Sequence, residues 1–206
     1  MQALIMVDIQ NDFLPGGSLA VPEGDQIIPL ANRLQKQFDL VVATQDWHPA
    51  THGSFAANQL GKKPGEIIDL NGLSQILWPV HCVQGSKGAA FADDLDLEKI
   101  SKVFKKGTDM NIDSYSGFFD NGQRKATGLE DYLKQMGAEQ VYIVGLATDY
   151  CVKFTALDAH QAGFNTTVIK DATRAVNLEP ADYQKALTEM EKQGINVVIS
   201  KPILKQ

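Results

Sequence analysis

A chain of 206 residues that is 44% apolar and 21% charged can build the core of one compact α/β domain, and that composition argues against wholesale disorder. A formal charge of -6 argues against general binding to nucleic-acid phosphate, which needs a basic footprint. No apolar run approaches the roughly 18 residues of a membrane-spanning helix. The amino terminus has no basic flank, and Asp8 cuts its apolar run short, so it reads as a strand rather than a secretory signal.

In chain order, strands are expected over residues 3–8, 40–44, 102–105, 140–144, 165–169 and 196–200. Most are continuous runs rich in Val and Ile, the pattern of strands buried on both faces of a parallel sheet. Helical stretches separate them. Asp25 is placed to cap a segment through Phe38, with Pro29 tolerable in the first turn. Thr127 and Glu130 form a capping-box pattern for a helix stopping at Gly137. Thr148 is placed to cap a helix running to Gly163, and Pro180 opens another that ends near Gly194. Alternating strands and helices imply a three-layer α/β fold with a central, mostly parallel sheet of about six strands in a single domain spanning residues 1–206. The stretch from Asp46 to about Lys99 has weak periodicity, and an irregular connection of that length is usually functional.

Sites in open parallel sheets gather outside the carboxyl ends of the strands. Three polar residues fall there. Asp8 ends the first strand, Lys106 follows Val103-Phe104-Lys105, and Cys151 comes just after the fourth strand and its turn. Together they suit thiol chemistry. Asp8 is placed to take the proton of Cys151 and later deliver it to a leaving group, while Lys106 steadies both charges. The first helical turn also carries partial positive charge that lowers a thiol pKa, and its free N–H groups, those of Ala147 and Cys151, can hold an oxyanion. These residues leave the substrate open. The second cysteine, Cys82, reads as packing, and with no secretory signal a reduced cytoplasmic setting is expected.

Three of the four histidines lie in the long connection. Asp46 and His48 stand two residues apart, on one side of an extended backbone, and His81 adds a distant third donor. One carboxylate and two imidazoles suit a divalent ion such as zinc, iron(II) or manganese. His52 fits either a fourth ligand or a partner behind the ligands. His160 reads as a structural mid-helix residue.

Seven segments then stand in a shared order: Val7-Asp8-Ile9-Gln10-Asn11-Asp12-Phe13, Gly16-Gly17-Ser18-Leu19, Thr44-Gln45-Asp46-Trp47-His48-Pro49, Trp78-Pro79-Val80-His81-Cys82, Lys106-Gly107, Asp113-Ser114-Tyr115-Ser116-Gly117-Phe118 and Gly145-Leu146-Ala147-Thr148-Asp149-Tyr150-Cys151-Val152. From end to end the chain resembles the nicotinamidase branch of the isochorismatase-like cysteine hydrolases. The resemblance implies the catalytic set Asp8, Lys106 and Cys151, an oxyanion hole at Ala147 and Cys151, and a cis peptide between Leu146 and Ala147. It further implies a metal, zinc before iron or manganese, on Asp46, His48 and His81, where it anchors the pyridine nitrogen. Phe13, Trp78 and Tyr115 match the aromatic positions of the pyridine pocket. The implied substrate is nicotinamide, with pyrazinamide as an analogue, and the implied role is NAD salvage. The alternative within the superfamily is another amidase or N-carbamoyl hydrolase, which shares the Asp, Lys and Cys but against which the Asp46/His48/His81 set argues. A monomer and a homo-oligomer fit the sequence equally.

Overall fold

The computed structural model describes residues 1–205. Its strands in chain order are β1 (Gln2–Val7), β2 (Leu40–Asp46), β3 (Ile67–Leu70), β4 (Leu73–Ile76), β5 (Ile100–Lys106), β6 (Gln140–Leu146), β7 (Asn165–Arg174) and β8 (Asn196–Val198). All but β3 and β4 belong to one sheet, in the order β5-β2-β1-β6-β7-β8, and every pairing in it is parallel. The helices are α1 (Ile28–Gln35), α2 (Leu129–Gln135), α3 (Lys153–Gln161) and α4 (Asp182–Lys192).

Side-chain alternation along β1 divides the interior in two. Ala3, Ile5 and Val7 meet residues of α2, α3 and α4 in one core, whereas Leu4 and Met6 meet Ile28, Ala31 and Leu34 of α1 in the other. Burying each Val, Leu or Ile contributes about 1.5–3 kcal/mol, so a strand buried on both faces is a strong organising element. The expected three layers follow. The chain steps from β1 outward to β2 and β5, then returns to β6 on the other side of β1. That reversal puts a topological switch point between β1 and β6, where a crevice opens at the carboxyl ends.

Boundaries differ from the sequence reading for physical reasons. Lys106 lies inside β5 rather than after it, because its backbone pairs in register with Asp46. Asp25 does not cap α1; it sits in a tight turn, Gly24–Ile27, while Pro29 occupies the first helical turn as expected. The Leu129 N–H does bond Thr127 Oγ1, but Glu130 turns to Lys134, so the reciprocal capping box is incomplete. Helix α4 begins two residues after Pro180, at Asp182, whose carboxylate accepts the Glu179 N–H at 2.8 Å. Thr148 makes no capping bond; Thr148–Val152 is instead a wide π-turn leading into α3. His160 is exposed in the last turn of α3, not mid-helix.

The long connection after β2 also holds order that the periodicity conceals. β3 and β4 form an antiparallel hairpin closed by Asn71 and Gly72, at φ 55° and 85°. An Asn-Gly pair with both φ positive is the preferred two-residue hairpin turn.

Candidate active site and metal centre

Four side chains meet at the carboxyl ends of β1, β2, β5 and β6. Asp8 follows β1 in a left-handed conformation, φ 47°, which turns its carboxyl off the strand line and into the crevice. Asp46 ends β2 and Lys106 ends β5, and the two are cross-strand neighbours. Cys151 sits in the π-turn after β6. Lys106 Nζ lies 2.7 Å from Asp46 Oδ1, 2.8 Å from the Ser114 carbonyl and 3.4 Å from Cys151 Sγ, all with hydrogen-bond geometry. Those three acceptors use its three protons. Asp8 Oδ2 is 2.9 Å from Nζ as an ionic contact and accepts no aligned hydrogen.

The pairing of Lys106 with a following glycine has a steric cause. Gly107 has φ 63°, and a Cβ there would stand 2.3 Å from the His48 ring. The neighbouring Lys105 points to the opposite face, exposed, with Nζ 3.7 Å above the Trp47 ring. Alternation thus separates the two lysines, and Lys106 is the one at the site.

Burial and charge act together here. Burial penalises the ammonium of Lys106, but Asp46 and Asp8 outweigh that and hold it well above the usual lysine range. Burial likewise works against the Asp46 carboxylate, yet His48 and Lys106 keep it well below its ordinary value. Burial raises both Asp8 and Cys151, with Lys106 opposing it in each case. The expectation of a thiol lowered by the helix end is therefore corrected: in this pocket Cys151 rests as a protonated thiol. The nearby carboxylates of Asp8 and Asp46 also favour that form. The arrangement can move one proton between sulfur and carboxylate while Lys106 keeps its own.

The expected metal donors also converge. His48 Nε2 lies 3.1 Å and His81 Nε2 3.4 Å from Asp46 Oδ2. Each Nδ1 faces a backbone carbonyl, Gly107 for His48 at 2.9 Å and Pro79 for His81 at 2.8 Å. With Nδ1–H donated to those carbonyls, both Nε2 atoms face the carboxylate across a gap that only a proton or a cation can fill, and against the effect of burial Asp46 raises the His48 pKa accordingly. Donors bound to one zinc at about 2.0–2.1 Å across a tetrahedral edge stand about 3.3 Å apart, so the donor set fits a small divalent ion. His52 does not join it. Its Nδ1 is held by the Ser54 hydroxyl at 2.7 Å and the Ser54 N–H at 3.2 Å, and its ring lies behind His48, centroids 4.4 Å apart. Burial lowers its pKa, consistent with a neutral supporting ring.

Beside these groups lies a narrow cleft lined by Phe13, Trp78, His81, Tyr115, Ala147 and Cys151, among others. The three aromatic residues expected from the sequence are all in it. Asp113, Tyr150 and Val176 line it too and were not singled out beforehand. Asp113 and Ser114 stand in the sixth shared segment, which was the available signal. Tyr115 Oη accepts from Gln75 Nε2 at 3.0 Å and Trp78 Nε1 at 3.2 Å, so the β3–β4 hairpin and the residues after it fix one wall. The Leu146–Ala147 peptide is cis, as the resemblance implied. The Ala147 carbonyl takes the N–H groups of Tyr150 and Val152, on either side of Cys151. The Ala147 N–H has no backbone partner among the described residues, which leaves it a free donor at the start of the turn that carries Cys151.

Cys82 lies in the other core, fully buried, and its thiol is raised strongly by burial. Replacing it with alanine is expected to keep turnover within about threefold and to cost about 1 kcal/mol of stability. An activity assay beside a denaturant titration checks both figures.

The sequence matches the isochorismatase domain over residues 2–201. It is 50% identical over 197 residues to the nicotinamidase of Escherichia coli (strain K12), covering 94% of this chain and 92% of that one. Its fold is similar to a solved Acinetobacter baumanii nicotinamidase pyrazinamidease, at TM-score 0.95 and 47% identity, covering 98% of this chain and 97% of the other. A pyrazinamidase of Pyrococcus horikoshii solved in complex with zinc is similar at TM-score 0.79 and 40% identity, over 96% of this chain and 98% of that one. The chain belongs to the isochorismatase-domain family and, within it, to the nicotinamidase branch.

Proposed function

We propose that this chain is an amide hydrolase that converts nicotinamide to nicotinate and ammonia, and that it also accepts pyrazinamide. One observation carries the mechanism: a single buried ammonium, Lys106, touches the carboxylates of Asp8 and Asp46 and the sulfur of Cys151 beside a small aromatic cleft.

In the proposed reaction the amide enters with its ring between Phe13, Trp78 and Tyr115. Asp8 takes the Cys151 proton as the sulfur attacks the carboxamide carbon. The N–H groups of Ala147 and Cys151 receive the developing oxyanion. Asp8 then passes the proton to the departing nitrogen, ammonia leaves, and a thioester remains on Cys151. Water loses a proton to Asp8, attacks the thioester and releases the acid; the proton returns to the sulfur. Lys106 stays charged throughout, so the two carboxylates never face each other uncompensated. A divalent ion held by Asp46, His48 and His81 would supply a Lewis-acidic anchor for the pyridine nitrogen.

Zinc is our choice for that ion, supported by the imidazole and carboxylate donors. Both cysteines are free thiols, which suits a reducing cytoplasmic setting, and nicotinate release suits NAD salvage. Among the described residues no helix is long and apolar enough to cross a membrane.

Ammonia release measured with nicotinamide, pyrazinamide and a set of N-carbamoyl amino acids tests the reading. We expect both ring amides to turn over, with the carbamoyl compounds at least about a hundredfold slower in kcat/KM. Turnover of a carbamoyl compound with none of nicotinamide overturns it.

A further inference from the structure

We propose that Thr44 is a positioning residue for the reaction, fixing which oxygen of Asp8 carries the transferred proton; this inference rests on Asp8 being the proton carrier proposed above.

Thr44 is fully buried in β2, two residues before Asp46 and therefore on the same side of the strand. Its hydroxyl stands 2.6 Å from Asp8 Oδ1 and donates to it. The hydroxyl makes no other hydrogen bond among the described residues, so its hydrogen is committed to Oδ1. Its orientation is fixed as well. A β-branched side chain has little freedom at χ1, and the Thr44 methyl lies so near Gly117 that a Cβ there would come within 2.6 Å of it. With the methyl held against Gly117, the hydroxyl is held toward Asp8.

The two oxygens of Asp8 consequently differ. Oδ1 receives a short hydrogen bond from a donor with nowhere else to turn. Oδ2 has no hydrogen-bond partner and sits 2.9 Å from the ammonium that also touches Cys151 Sγ. A proton arriving from the thiol on Oδ1 would meet the Thr44 hydrogen already there. A protonated Oδ1 would be a poorer acceptor for that buried hydroxyl, so the proton is directed to Oδ2, the oxygen that shares the ammonium with the sulfur. The same hydrogen bond stops the carboxyl from rotating and exchanging its oxygens between the two halves of the reaction.

An isosteric pair tests this. Thr44→Val keeps the shape and loses the hydroxyl, whereas Thr44→Ser keeps the hydroxyl and loses the methyl. With nicotinamide we expect Thr44→Val to lower kcat about tenfold to a hundredfold, with KM and metal content within about twofold of the parent. Thr44→Ser should recover most of kcat. The rate of Cys151 alkylation by iodoacetamide, located by mass spectrometry, should fall in Thr44→Val and recover in Thr44→Ser. A Thr44→Val enzyme with kcat and alkylation within about twofold of the parent overturns the inference. Equal losses in both variants, tracking a lowered Tm, also overturn it, because packing alone then explains them. If the unsubstituted protein fails to hydrolyse nicotinamide, the functional reading itself has failed, and alkylation still reports on Thr44.

Discussion

Replacing Cys151 with alanine is expected to lower kcat for nicotinamide at least about ten-thousandfold, because a covalent route loses its nucleophile outright while binding survives. The change removes one sulfur from a site already framed by Lys106, Asp8 and the Ala147 turn, so the scaffold should stand. Lys106 keeps its bonds to Asp46 and Ser114 and its contact with Asp8, and the charge balance of the pocket is untouched. Metal content, measured by elemental analysis, should match the parent. The thiol rests protonated, so its reactivity depends on transfer to a base in place, and Asp8 is the carboxylate poised for it. Intact-mass measurements during turnover should show a nicotinoyl adduct on the parent enzyme and none on Cys151→Ala. Residual activity within tenfold of the parent, or loss on Cys82→Ala without unfolding, would show that the wrong cysteine had been chosen.

The order of strands and the residues at their ends were legible because a parallel sheet writes itself as apolar runs and because binding crevices lie at the carboxyl ends of its strands. Asp8, Lys106 and Cys151 could be picked out on that ground, and the motif order added Asp46, His48 and His81. What the pattern did not reveal depends on long-range packing. The need for glycine after Lys106 comes from the His48 ring, 59 residues away in sequence from Gly107. His52 was ambiguous by spacing because four residues suffice to reach a shared ion; in the fold its Nδ1 meets Ser54 and its Nε2 the Ile112 carbonyl, contacts made by packing rather than by spacing. The elevated Cys151 thiol was missed for a similar reason. Helix-end charge is a local effect, and burial beside two carboxylates outweighs it. The β3–β4 hairpin could have been read from Asn71-Gly72 but was hidden by the short, half-buried strands on either side.

If the ion anchors the pyridine nitrogen, then His48→Ala or His81→Ala should lower metal content and nicotinamide turnover together, by at least about a hundredfold in kcat/KM. The tautomers make that loss specific. Each imidazole is held by its Nδ1 on a backbone carbonyl, so removing either ring deletes one Nε2 donor while Asp46 keeps its bond to Lys106. Dialysis against a chelator should reproduce the loss, and a divalent ion should reverse it in the parent enzyme more fully than in either variant. Benzamide separates an anchor from a merely structural ion. It has nearly the shape of nicotinamide, fits the same aromatic walls and offers the same carboxamide to Cys151, but has no ring nitrogen. A coordinate bond contributes on the order of several kcal/mol, and each 1.4 kcal/mol is about tenfold in rate or affinity. The metal-loaded enzyme should therefore hydrolyse benzamide at least about a hundredfold less efficiently, with the gap narrowing in the metal-depleted enzyme, where both amides lack the anchor. Equal kcat/KM values for the two amides on the loaded enzyme would end the anchoring role and leave the Cys151 hydrolase standing, with the ion serving only to hold the His48 and His81 segments together.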